Sequence, residues 1–233
     1  MMRTGLGSLL SQSYIGRLLS GLSTDPAGTL ITLLMFAVCI LFSLIIHECA
    51  HGYVALKCGD PTAKWLGRLT FNPLKHLDPI GTLCMLILRV GWAKPVPVNP
   101  RNFRHYRRDY ILVSLAGIAV NFLIFLFSTI MMVLLWKYAE AGWLEYVYSF
   151  FLLLAQINLG LAVFNLLPVP PLDGFRFVDQ FIFKGRLNMS PQMMYYIHIG
   201  FLIVCVSGLL DGLLTTVNGA VFNTVYRFFL NIL

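Results

Sequence analysis

Residues 30–56, LITLLMFAVCILFSLIIHECAHGYVAL, form a long apolar run that carries His47-Glu48-Cys49-Ala50-His51 near its C-terminal end. A run of this length and character reads as a membrane-spanning helix. Residues four apart on a helix share a face, so both imidazoles of an HExxH pattern can reach one metal ion. Glu48, one position round, is placed to take a proton from a water held by that metal. Two histidines and a glutamate at membrane depth are costly unless they face a polar cavity or hold an ion. The bland alternative is an HExxH coincidence at a helix end, with both histidines turned to the headgroups.

The rest of the chain supports the membrane reading. Of 233 residues, 58% are hydrophobic and only 12% are charged, more apolar surface than a soluble domain can bury. Three further segments are long enough to span or nearly so, at about residues 110–136, 147–167 and 193–210. Residues 213–233 are apolar but spotted with Asn218, Asn223, Arg227 and Asn231, leaving a last span and an interfacial helix both open. Residues 80–90 are too short to cross and are flanked by glycines and prolines, so a re-entrant or interfacial segment is expected there. The expected fold is an all-α polytopic membrane protein with about four to five transmembrane helices. Residues 1–233 are expected to form one domain, with 1–27 lying at the interface as an amphipathic segment rather than as a cleaved signal peptide.

The net charge of +7 comes from one place. Residues 57–109 hold Lys57, Lys64, Arg68, Lys75, Arg89, Lys94, Arg101, Arg104, Arg107 and Arg108, against Asp60, Asp78 and Asp109. The opposite loop has Lys137, Glu140 and Glu145. Clustering in a single loop is a topology signal and gives no nucleic-acid surface. By the positive-inside rule the 57–109 loop is cytoplasmic, in a multi-pass protein of the cell membrane. The first span then ends near Lys57, and His51 lies on the order of 10 Å from that end. The five cysteines sit mostly in apolar segments and give no disulfide framework; Cys49 reads as a small packing residue.

Two proline-rich segments lie near that cytoplasmic face. Gly91-Trp92-Ala93-Lys94-Pro95-Val96-Pro97-Val98-Asn99-Pro100 suits an edge strand or extended lip, either a rigid connector or an edge holding an extended peptide beside the metal. The third span ends in Asn165-Leu166-Leu167-Pro168-Val169-Pro170-Pro171-Leu172-Asp173-Gly174. Its prolines break the helix, and irregular backbone persists at that depth only where protein buries it or it lines a wet cavity. Catalytic zinc usually takes three protein ligands plus water, so a third is needed beside the two histidines. Asp173 projects from the break as a candidate; an Asp-Gly turn in a loop is the other reading.

These residues resemble the site-2 protease family (M50-type) of intramembrane zinc metalloproteases. The matching pieces are HECAH, Gly59-Asp60-Pro61-Thr62-Ala63-Lys64, Phe71-Asn72-Pro73-Leu74-Lys75, GWAKPVPVNP and NLLPVPPLDG, in that order along most of the chain. The resemblance implies one zinc ion per chain held by His47, His51 and Asp173, and Glu48 as catalytic base. It also implies cleavage of membrane-spanning protein substrates within the bilayer, as in regulated intramembrane proteolysis. A small-xxx-Asn element of the family is matched by Gly117-Ile118-Ala119-Val120-Asn121. The family often has Pro where this chain has Ile118, so the resemblance carries no kink to this helix. Asn121 either binds the substrate carbonyl or oxyanion, or pairs helices, the commoner use of an intramembrane Asn. A compact form of the family, without an appended regulatory domain, is expected.

His76 and His105 are expected to face solvent or headgroups, and His198 to pack between helices or line the cavity. The rival function is a non-proteolytic membrane zinc transporter or sensor, which should show further intramembrane ligands along a path. An idle adaptor would have no need of Glu48.

Overall fold

The computed structural model describes residues 21, 23–78, 81, 93–138, 144–187 and 189–233. Most of the 1–27 segment and of the expected re-entrant stretch at 80–90 therefore lies outside the described residues. The helices, in chain order, are α1 (Pro26–Lys57), α2 (Thr62–Trp65), α3 (Tyr106–Tyr138), α4 (Leu144–Asn165), α5 (Asp173–Phe181), α6 (Pro191–Val206) and α7 (Asp211–Ile232). Among the described residues there is no β-strand, only an isolated antiparallel bridge between Leu77 and Ala93.

The chain is an all-α multi-pass membrane protein. Helices α1, α3 and α4 are each long and apolar enough to cross a bilayer. The segment expected as one span at 193–210 is broken. Helix α6 ends at Val206, and Gly208 takes a positive φ of 75° that glycine adopts without strain. At about 1.5 Å per residue, its 16 residues fall short of a hydrocarbon core about 30 Å thick. Together α6 and α7, bent by 73°, make one broken span, which would be a fourth crossing, or a re-entrant pair. Helix α7 is no free surface helix: Phe222, Val225 and Tyr226 pack on the core formed by Phe125, Met132, Ala155 and Leu159 of α3 and α4.

Local chemistry sets the ends of α1. Pro26 fills the first helical position, where its missing N–H costs nothing, and the Asp25 carboxylate accepts the Gly28 N–H at 3.0 Å. At the other end Gly59 has φ 109°, and its N–H returns to the Leu56 carbonyl at 3.2 Å. A Cβ there would stand 2.9 Å from the Asn102 carbonyl, so the chain turns tightly against the segment leading into α3. Helix α3 is central, touching α1, α4, α5 and α7. A polar pair joins α4 to α1 in the apolar interior: the Asn158 amide donates to the Ser43 hydroxyl at 2.8 Å.

The loop between α1 and α3 folds back along α1. A Cβ on Gly52 would meet Leu69 at 2.6 Å, Val96 at 2.9 Å and Ala63 at 3.1 Å, so both arms of the loop lie against the helix one residue past His51. The Lys94 N–H donates to the His76 carbonyl at 2.8 Å, tying the two arms together. This arrangement corrects the expectation for His76. It is buried, 1% exposed, with its Nε2 2.7 Å from the Thr70 carbonyl, because the tight turn through Pro73–Lys75 swings it inward. His105 is exposed as expected.

Asp60 clasps this loop. Its carboxylate accepts the Asn99 N–H at 2.6 Å, the Asn102 amide at 2.8 Å and the Thr62 hydroxyl. Burial pushes the carboxyl up, but the Thr62, Asn102 and Asn99 donors outweigh it and hold Asp60 below the ordinary carboxylate range. A depressed folded-state value means stability that is present above the ordinary carboxylate value and lost as pH falls through the lower, folded value. Asp60→Asn is expected to be less stable near neutrality and to lose stability less steeply in acid. Thermal melting of both proteins in detergent from pH 7 to pH 3 measures this; parallel curves would remove Asp60 from the acid transition.

Candidate metal centre

Helical spacing places His47 and His51 one above the other on α1, with ring centroids 4.7 Å apart and planes nearly perpendicular. Both are buried although their helix is apolar all round. The facing surface is supplied by α3 at Gly117. A Cβ on Gly117 would collide with His47 Cε1 and stand 2.5 Å from His51 Nε2 and 2.6 Å from His47 Nδ1. Glycine is needed there for the backbone of α3 to approach the two rings.

Asp173 completes the group. Its Oδ2 lies 3.2 Å from His47 Nε2 and 3.0 Å from His51 Nε2, and the two nitrogens are 3.1 Å apart. It does not hang from irregular backbone, as the sequence suggested. The prolines end α4 at Asn165, and Asp173 opens the next helix, α5. Gly174 lets that helix seat on the end of α4: a Cβ would overlap the Leu166 carbonyl and stand 2.7 Å from that of Leu167. Arg107, from the start of α3, grips the far end of α5 by donating to the Gln180 and Phe181 carbonyls, both at 2.8 Å. The second carboxylate oxygen, Oδ1, lies 3.6 Å from Arg176.

The donor set fits a divalent cation. Three atoms bound to one tetrahedral zinc at about 2.0–2.1 Å stand about 3.3 Å apart, close to the three separations seen here. Without a cation or proton between them, lone pairs directed at one point would repel. His51 has its other nitrogen satisfied: Nδ1 lies 2.7 Å from the Val113 carbonyl, which can only accept, so Nδ1 carries the proton and Nε2 offers its lone pair. Among the described residues this is the group of histidine, cysteine and carboxylate side chains able to hold a metal ion.

Glu48 stands beside this group, half-buried, and its Oε2 accepts the Val96 N–H at 2.8 Å. The proline-rich segment thus fixes the carboxylate from outside α1. Cys49 contributes packing and a weak contact from its thiol to the Thr70 carbonyl at 3.4 Å. Asn121 is fully buried on α3, one turn past Gly117, with its Nδ2 3.2 Å from His47 Nδ1. His198, on α6, is not part of the cluster. Sequence reading missed the Val113 carbonyl and the Val96 amide, since main-chain groups leave no mark in side-chain patterns. Gly117 could have been found from its place in the small-xxx-Asn element.

Gly117→Ala is expected to push the two rings off their common point, at a cost of about 1–3 kcal/mol in packing. Zinc affinity, measured by chelator competition, and thermal stability in detergent should fall together. An alanine variant that binds zinc like the parent would show that α3 can retreat without disturbing the histidines.

The family model described as Peptidase family M50 matches residues 35–207, which include all of these side chains. The chain is 42% identical over 173 residues to "Putative zinc metalloprotease YwhC" of Bacillus subtilis, a match covering 73% of this chain and 79% of that protein. It is 29% identical over 195 residues to "Putative zinc metalloprotease Rip2" of Mycolicibacterium smegmatis, covering 81% of this chain and 70% of the relative. With the protein of the same name from Mycobacterium tuberculosis the identity is 28% over 230 residues, covering 95% and 84%. No solved structure matches the chain.

Proposed function

Because the chain belongs to peptidase family M50, the site-2 protease family of membrane zinc metalloproteases, and so hydrolyses peptide bonds, we propose that it cuts other membrane proteins within their membrane-spanning segments, as in regulated intramembrane proteolysis. The observation that carries this reading is the burial of His47 and His51, on the apolar, membrane-crossing helix α1, around one point with Asp173 from the start of α5, and with Glu48 alongside. A soluble peptide would have no need of a centre at that depth. The proposal assigns one zinc ion per chain to those three side chains, in one domain in which α1, α4, α5 and α7 pack around α3.

The chemistry that zinc supplies in such a centre is Lewis acidity, which acidifies water and polarises a carbonyl. Glu48 takes the water's proton and delivers it to the leaving amine. The Val96 N–H holds the carboxylate of Glu48 in place for both transfers. Asp173 and the two imidazoles are kept from swinging by the seat of α5 on α4 and by Gly117. A substrate helix hides its carbonyls in internal hydrogen bonds, so it unwinds locally before it is cut. Water enters from the near end of α1, where His51 is six residues from Lys57.

The test is turnover of a generic single-span substrate co-reconstituted in liposomes, with the products mapped by mass spectrometry. A chelator-sensitive cut inside the apolar segment is the expected result. Cuts confined to soluble tails would make this a surface protease. Orientation is tested separately, in the cell membrane. A single cysteine in the 64–75 stretch should be labelled only from the cytoplasmic face, and one near Lys137 only from outside, given the basic excess of the 57–109 loop. Reversed labelling would place the centre near the outer face.

A further inference from the structure

We infer that Asn121 is a positioning residue that selects the metal-binding tautomer of His47, acting through the imidazole rather than on the substrate. The inference rests on the reading that His47 is a zinc ligand. Asn121 is fully buried, and its amide is the group facing His47 Nδ1, with Nδ2 at 3.2 Å. Its Oδ1 is buried with no hydrogen-bond partner among the described residues. A buried orphan acceptor is expensive, by about 1–3 kcal/mol, and in a native structure it asks for a reason.

Neutral imidazole carries one proton, on one of its two nitrogens. When Asn121 Nδ2 donates to His47 Nδ1, the proton is on Nε2, directed at Asp173 Oδ2 3.2 Å away. Both nitrogens of His47 are then matched while Asn121 Oδ1 is not, and Nε2 has no lone pair to give. For Nε2 to bind a metal the proton must sit on Nδ1, and Nδ1–H needs an acceptor. Turning the Asn121 amide over brings Oδ1 to that place in nearly the same volume, since its oxygen and nitrogen are almost isosteric. His51 meets the same requirement differently, through the fixed carbonyl of Val113 at 2.7 Å. One histidine is thus set permanently in the metal-binding tautomer. The other is set by a side chain able to serve both the proton-filled and the metal-loaded states. Asparagine can do this because it both donates and accepts; aspartate would serve only the loaded state, and leucine neither.

The experiment measures zinc affinity by competition with a chromophoric chelator for the purified wild type, Asn121→Asp, Asn121→Leu and His47→Ala. Asn121→Leu is expected to weaken zinc binding about 10–100-fold, the usual effect of removing a group that orients a ligand. Asn121→Asp, which keeps an acceptor, should stay nearer the wild type. At saturating zinc, the kcat of Asn121→Leu should recover most of its loss. A kcat deficit that persists with unchanged zinc affinity would assign Asn121 to the substrate carbonyl and overturn the inference. Equal loss in the Asp and Leu variants would overturn it too. Should either variant fold poorly, histidine ring ¹⁵N spectra of the wild type decide. The His47 proton is expected on Nε2 without zinc and on Nδ1 with it, and a proton on Nδ1 in both states would remove the switch. His47→Ala binding zinc as the wild type does would instead show that the underlying ligand assignment had failed.

Discussion

Replacing Glu48 by Gln is expected to leave zinc bound and to lower the rate of peptide hydrolysis by about 10²–10⁴-fold, the range for loss of a general acid–base group. The substitution keeps the shape of the side chain and an oxygen able to accept the Val96 N–H, so the proline-rich segment should stay in place. It removes the proton-accepting carboxylate. The measurement is turnover of the single-span substrate beside metal content of the same preparation. A Gln variant with normal zinc and near-normal turnover would rule Glu48 out as the base. One that lost its zinc would give the carboxylate a share in holding the metal, which the cluster of His47, His51 and Asp173 does not call for.

Asp173→Ala is expected to reduce zinc affinity by more than about 100-fold, beyond what removal of an orienting neighbour costs. Its Oδ2 stands within 3.2 Å of both imidazole Nε2 atoms, and no other carboxylate belongs to that group among the described residues. The control is Asp179→Ala, two turns along α5. Asp179 accepts the Leu187 N–H at 3.2 Å and closes the turn after the helix, so its loss should cost some stability and leave zinc affinity largely intact. Equilibrium competition with a chelator on both variants reads the difference. Equal losses would mean that Asp173 matters through the seating of α5 and not through its carboxylate. Unchanged affinity in Asp173→Ala would send the search for a third ligand elsewhere.

How much of this was legible in the chain depended on the range of the interactions. Apolar runs declared α1, α3 and α4, because one composition requirement, about 20 residues of hydrocarbon thickness, acts on each segment alone. The i, i+4 spacing placed His47 and His51 on one face without reference to any other helix. The prolines at 168, 170 and 171 ended α4 for a local steric reason, although the sequence did not show that Asp173 would start a new helix at once. The break after Val206 was missed because Ser207 and Gly208 sit inside an otherwise apolar run.

His76 was misjudged because a polar neighbour such as Lys75 says nothing about where a turn will aim the next side chain. The resemblance to the site-2 protease family brought Asp173 to His47 across 126 residues of chain; nothing local could have done so. Helices that are apolar all round carry little record of which face meets which neighbour. Sequence by itself therefore determined a multi-pass helical protein with an HExxH face at membrane depth and a basic loop beside it. Only the tertiary structure decided that Gly117 lets α3 against both rings, that the Val113 carbonyl and the Asn121 amide take their far nitrogens, and that the Val96 N–H holds Glu48. Those are contacts of close packing and of the main chain, which depend on how the helices cross and not on what any one segment contains.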